Sequence, residues 1–121
     1  MNPAQPFRAM AHNNAWANHR LLGACAALSD EAFAAPRTGF FPSLRATLNH
    51  ILIVDWFYVD ALEGGTLGPE AWADEEPCHS LAALAAEQAK VDRRLIAVTE
   101  ALTGEGLERI VEVHRGARVQ R

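Results

Sequence analysis

Residues 43–62, SLRATLNHILIVDWFYVDAL, decide the fold class. Ser43 is a good helix N-cap directly after Pro42, and the positions after it repeat at helical spacing. The main stripe is Leu44, Leu48, Ile51, Asp55, Val59 and Leu62. Further apolar residues fill the remaining faces, which is typical of an interior helix with neighbours on several sides. Gly64 and Gly65 end this helix.

Two more long helices are predicted around it. The first begins after Pro6, carries apolar residues at three-four spacing and ends near Leu28. A connector over residues 31–42 follows. The last helix begins after its N-cap Ser80 and ends at Gly104 and Gly106. Its apolar residues repeat every three or four positions, which is typical of an up-down bundle. We therefore expect an all-α, up-down helical bundle.

Two segments lack the helical spacing of apolar residues: the loop after the second helix and the C-terminal segment. Residues 64–79 form a loop rich in glycine, proline and acidic residues. From residue 107 the chain alternates apolar and polar residues, and Gly116 allows a turn, which predicts a short C-terminal hairpin. Four arginines lie in residues 109–121, and we interpret them as part of a solvated hairpin face.

Length and composition limit the number of domains and the classes of partner. The chain has 121 residues, so residues 1–121 are predicted to form one domain. Its net charge of −4 argues against nucleic acid as a partner. It contains no apolar run long enough for a membrane span and no export-signal pattern, so we expect a cytoplasmic protein.

His50 is the first candidate for chemistry. It lies in the middle of an apolar helix, where a single histidine is in general more often a hydrogen-bonded core residue than a ligand. The functional alternative is a neutral imidazole that binds a divalent metal inside a bundle. His12 and His19 lie two turns apart, too far to share one metal, and are predicted to be surface residues.

Several other polar residues interrupt apolar stripes. Asn14 and Asn18 either fix helix register through hydrogen bonds or support a metal ligand on the next helix. Asp55 and Asp92 need partners if they are buried, and Arg45, Arg93 and Arg94 are the partners we expect.

The two cysteines form no CxxC pair. Cys25 lies on the apolar face of the first helix and is predicted to be buried. Cys78 lies in a loop beside His79 and is predicted to be exposed. Neither arrangement by itself indicates a nucleophile.

Two motifs resemble the DinB-like (DinB/YfiT) family. Residues 14–22, NAWANHRLL, resemble the family's first helix, and residues 47–52, TLNHIL, with Asp55 and Trp56 resemble its second. The third helix with Asp92, and then the hairpin, follow in the same order. The resemblance therefore extends over nearly the whole chain.

The resemblance implies a four-helix bundle that binds a divalent metal, nickel or zinc, through three histidines. His50 matches the first ligand, and Asn14 and Asn18 would support it from the neighbouring helix. The other two ligands would lie on a fourth helix beyond the hairpin, after Arg121, so we expect the chain to be C-terminally truncated relative to the family pattern. Some members are transferases that use a small-molecule thiol.

Two functions therefore compete. One is a DinB-like metal-binding protein with thiol-dependent transferase activity. The other is a catalytically inactive helical module that self-associates through its bundle face. Because the second helix has no polar face along its middle, we expect a homodimer that covers it. If the chain is instead a monomer, the loop over residues 64–79 must fold over that helix.

Overall fold

A computed structural model describes residues 2–121 and is mainly helical. Its elements in chain order are α1 (Gln5–Cys25), α2 (Asp30–Ala34), α3 (Leu44–Leu62), a 3₁₀ helix (Gly68–Trp72), α4 (Leu81–Glu100), α5 (Gly104–Leu107), β1 (Val113–Arg115) and β2 (Arg118–Gln120). The three long helices and the antiparallel hairpin confirm the predicted all-α bundle with a short C-terminal hairpin. No helix within the described residues is long and apolar enough to cross a membrane.

Hydroxyl side chains begin four of the helices. The hydroxyls of Ser43 and Ser80 accept hydrogen bonds from the backbone N–H three residues later, as the sequence predicts for α3 and α4. Ser29 and Thr103 do the same for α2 and α5. These two short helices were not predicted, because the prolines and glycines around them indicate loops.

The chain also ends its helices differently from expectation in two places. The α-helical geometry of α1 ends at Cys25 rather than near Leu28. Helix α4 ends at Glu100, where the Arg8 guanidinium donates hydrogen bonds to the carbonyls of Thr99, Glu100 and Leu102. A cation at a helix C-terminus is favourable, so this contact fixes the start of α1 against the end of α4.

Helix α4 packs against both α1 and α3. The core between them is formed by Leu22, Cys25, Phe33, Leu48, Leu52, Leu84 and Val91. The apolar stripe of α1 is divided by this arrangement. Ala11 and Leu22 are buried, whereas Phe7 and Met10 are 45% and 66% exposed. The stripe predicted from spacing is therefore only partly a core face.

The loop after α3 folds back on that helix. Its 3₁₀ helix packs against α3, and the Trp72 and Phe57 ring centroids lie 5.1 Å apart. Strand β1 in turn packs on the 3₁₀ helix, where Gly68 has φ +57° and a Cβ would lie 3.1 Å from the His114 carbonyl oxygen. Much of the apolar surface of α3 is thus covered within one copy. The homodimer stays a prediction. The reason given for it from the sequence, an apolar middle of α3 exposed to water, no longer supports it.

Candidate functional site

His50 borders a cavity of about 580 Å³ on the outer side of α3, within the roughly 300–1,000 Å³ typical of small-molecule sites. Its walls are formed by Phe40, Phe41, Pro42, Ala46, His50, Ile53, Val54, Phe57, Tyr58, Trp72, Glu75, Glu76 and Arg115. We call this space the His50 cavity. Three segments meet there: α3, the connector before it, and the loop and hairpin after it.

The imidazole of His50 is exposed and not a core residue, which corrects the core interpretation. Its ring centroid lies 4.5 Å from that of Phe41, and Phe41 in turn contacts Phe40 edge-on. The connector after α2 brings Phe41 over α3, whereas Phe40 is 96% exposed and contacts Phe41. No hydrogen bond fixes the His50 ring within residues 2–121, so its nitrogens are available to a ligand.

A second aromatic wall faces the cavity. Phe57 contacts Tyr58 and Trp72, with ring centroids 5.0 and 5.1 Å away. The Arg115 guanidinium carbon lies 5.2 Å from the Phe57 centroid, and its Nη2 donates a hydrogen bond of 2.7 Å to the Tyr58 hydroxyl. Arg115 is therefore part of the cavity wall. All four hairpin arginines are exposed, in agreement with the predicted solvated face.

Two glutamates contribute negative charge to the cavity. Glu76 is paired with Arg45, whose Nε lies 3.1 Å from the carboxylate oxygen. Glu75 is exposed and makes no hydrogen bond or ion pair within residues 2–121. The cavity thus combines apolar walls with a small number of polar groups, the usual composition of a ligand site.

Asn14 and Asn18 lie elsewhere, where α1 meets α4. Both amides donate to the buried carboxylate of Asp92, at 3.2 Å from Asn14 and at 3.1 and 3.2 Å from Asn18. Gln88 donates to Asp92 at 2.9 Å and to Asp55 at 2.8 Å. We call these five residues the Asp92 network. The structure brings the two asparagines together but places them on Asp92, not on His50.

The partners of the two aspartates differ from expectation. Amides bind Asp55 and Asp92, whereas Arg45 and Arg94 pair with Glu76 and Glu63. Burial raises the pKa of Asp55, the hydrogen bond from Gln88 opposes that rise, and the charge of Asp92 adds to it. A neutral amide offsets a buried carboxylate less completely than an arginine would.

Asn49 has a role that sequence reasoning missed. It is fully buried, its amide donates to the Cys78 carbonyl at 2.8 Å, and its carbonyl accepts from the Cys78 N–H at 2.9 Å. The available signal was an asparagine inside an apolar helix, which must be satisfied. This pair of bonds fixes the loop before α4 to α3.

Both cysteines are buried, as predicted for Cys25 and contrary to the prediction for Cys78. The loop position of Cys78 suggested exposure, but its backbone bonds to Asn49 draw it inward. Burial raises the pKa of the Cys78 thiol, and the charges of Glu87 and Asp74 raise it further. Because a thiolate is the reactive form, Cys78 is poorly suited to act as a nucleophile. His12 and His19 are exposed, as predicted.

The three-histidine metal site implied by the resemblance does not fit the described residues of one copy. Residues 2–121 contain no group of three or more His, Cys, Asp and Glu side chains placed to hold a metal ion. His50 supplies one imidazole, and the only other potential ligands in its cavity are Glu75 and Glu76. Zinc sites in proteins use three or four protein ligands.

Comparison with known proteins gives one result at the level of the family. No curated protein and no solved structure matches the chain. The sequence pattern of the DinB family matches residues 1–120, nearly the full length. The helical bundle and the order of its elements in the structure agree with this family match. The chain belongs to the DinB family.

Proposed function

We propose that this DinB-family protein binds a small molecule in the His50 cavity. The observation that carries the proposal is the aromatic lining of the cavity, which consists of Phe40 and Phe41 from the connector and of Phe57, Tyr58 and Trp72. Aromatic side chains supply much of the apolar area that a flat ligand needs. His50 then orients the ligand, since a neutral imidazole both donates and accepts a hydrogen bond.

The more specific form of the proposal is a thiol-dependent transferase. A small-molecule thiol bound beside His50 would transfer its proton to the imidazole, giving a thiolate and an imidazolium. Cys25 and Cys78 take no part, because both are buried. A divalent metal enters this proposal only if a bound thiolate or a second copy contributes the ligands that His50 lacks.

A neutral aromatic probe tests the binding proposal. Naphthylethanol should bind the wild-type protein and shift the His50 ring resonances in an NMR titration. Phe41→Ala should weaken binding about fivefold or more, because the lost ring contact is of order 1 kcal/mol. Trp16→Ala removes an exposed aromatic side chain outside the cavity and is the matched control. Equal affinities in both variants, or no binding to wild type, would contradict the proposal.

Self-association is the second candidate function, and a separate groove favours it. This groove of about 510 Å³ is lined mainly by apolar residues of α1, α4, α5 and the turn between α4 and α5, including Phe7, Met10, Leu95, Leu102 and Leu107. Met10 is 66% exposed there. Covering such a surface is favourable in proportion to its apolar area, and a second copy supplies a matching surface.

Sedimentation at micromolar concentration tests this second candidate. A homodimer that uses the groove should dissociate in Met10→Glu, because a charge cannot be buried there without a partner. Trp16→Glu is the control, since Trp16 is exposed on the same helix but does not line the groove. A wild-type monomer, or equal dissociation in both variants, would contradict it.

A further inference from the structure

We infer that the His50 cavity selects a ligand with an apolar, flat body and a carboxylate, and that Arg115 binds this carboxylate. The inference rests on the proposed binding function and adds the chemical class of the ligand. It starts from the charges that line the cavity. Arg115 is the only lysine or arginine among the lining residues.

The Arg115 guanidinium is held in place before any ligand arrives. Its Nε donates to Gln120 Oε1 at 2.6 Å, its Nη2 donates to the Tyr58 hydroxyl at 2.7 Å, and it lies over the Phe57 and Tyr58 rings. Fixing a long side chain in advance removes an ordering cost from ligand binding. The recognition group is therefore prepared by the hairpin.

The same guanidinium keeps unused binding capacity. An arginine has five N–H donors, and two of those on Arg115 are used within residues 2–121. The remaining donors match the geometry of a carboxylate, which arginine binds through two parallel hydrogen bonds. The aromatic faces beneath the guanidinium attract its positive charge and cover one side of it.

The two glutamates do not provide an equally prepared cation site. Glu76 is already neutralised by Arg45 at 3.1 Å. Glu75 is exposed, and no bond within the described residues fixes its carboxylate. A cationic ligand would therefore have to order Glu75 and would meet the fixed positive charge of Arg115. An anionic ligand would meet the negative charge of the unfixed Glu75, but it finds in Arg115 a partner whose position is already fixed. This difference in preorganisation favours the carboxylate.

Three matched probes test this inference by calorimetric titration at low salt. Naphthylacetate, naphthylethanol and naphthylethylamine share one ring system and differ in charge. We expect naphthylacetate to bind about tenfold or more tightly than the amine, since its carboxylate accepts charge-assisted hydrogen bonds from the guanidinium that repels the amine. Arg115→Gln should reduce the affinity for naphthylacetate to within about twofold of that for naphthylethanol.

Two further variants make the result specific. Arg118→Gln removes a charge from the same hairpin outside the cavity and should leave the preference unchanged. Arg115→Lys keeps the charge but loses the paired donors, so it should retain part of the preference even if Arg115→Gln unfolds the hairpin.

The outcomes separate this inference from the proposed function. Tightest binding of the amine, equal binding of all three probes, or a preference that survives Arg115→Gln would overturn the assignment of the carboxylate to Arg115. In each of those cases the cavity still binds naphthylethanol, so the proposed function stands. Failure of all three probes to bind would overturn both.

Discussion

The His50 cavity and the Asp92 network differ in how their polar groups are satisfied. In the network, Asn14, Asn18 and Gln88 direct their amides at Asp92, which is only 4% exposed. In the cavity, His50 and Glu75 are exposed and make no hydrogen bond or ion pair within the described residues. Groups that satisfy one another stabilise the fold, whereas groups left free are available to a ligand. We therefore assign stability to the network and binding to the cavity.

Removing the centre of the network should have the largest effect. Asp92→Ala leaves the partly buried amides of Asn14 and Asn18 without their acceptor and removes one of the two acceptors of Gln88. We expect the free energy of unfolding to fall by about 3 kcal/mol or more. Urea denaturation measures this change. His50→Ala is the comparison from the cavity and should change stability by less than about 0.5 kcal/mol, as exposed positions do. Similar losses in both variants would remove the distinction between the two regions.

The two asparagines should have smaller and unequal effects. Asn18 approaches both oxygens of Asp92, whereas Asn14 approaches one. We expect a change in stability of at least about 1 kcal/mol for Asn18→Leu and for Asn14→Leu, because each removes a partner of a buried group. The change should be larger for Asn18→Leu. If thermal melts show no change for either variant, the hydrogen bonds of both asparagines contribute nothing measurable to stability, which contradicts the prediction.

The pH dependence of stability should single out Asp55. Its pKa is raised by burial, so the folded state favours the protonated form. The stabilisation from this group is complete below its unfolded pKa and is lost as the pH rises through the folded value. Asp55→Asn should therefore gain stability relative to wild type as the pH rises above 3.8, the ordinary aspartate value. Asp74→Asn, an exposed control, should show no such trend, and a falling difference would contradict the sign.

The fold was predictable because its signals are local. The serine caps at Ser43 and Ser80 and the glycines after α3 lie directly beside the helices that they delimit. The site was only partly predictable. His50 was identified through a motif, but its partners Phe41, Trp72 and Arg115 come from the connector, the loop and the hairpin. Helical spacing carries no information on how such segments fold over a helix, so the aromatic cavity could not be predicted from the sequence pattern.

The metal site stays a prediction, and the sequence could name only one ligand for a physical reason. Spacing along one helix identifies ligands only when they share a turn, and His50 has no second ligand at that spacing. The structure adds Glu75 and Glu76 to its surroundings, but Glu76 is already paired with Arg45. Asn14 and Asn18, predicted to support His50, bind Asp92 instead.

The smallest expected effect concerns metal binding by one copy of the chain. Most of the binding free energy of a metal comes from several ligands acting together, so a single imidazole should give no saturable uptake of nickel or zinc at roughly 100 μM metal. Calorimetric titration of His50→Ala should then match that of wild type and of His12→Ala, an exposed histidine bound to Glu100. Tight one-to-one binding that only His50→Ala abolishes would show that the cavity does assemble a metal site. If uptake appears only when a small-molecule thiol is added, the thiolate supplies the missing ligand, and the cavity would be a site for the thiol and the metal together.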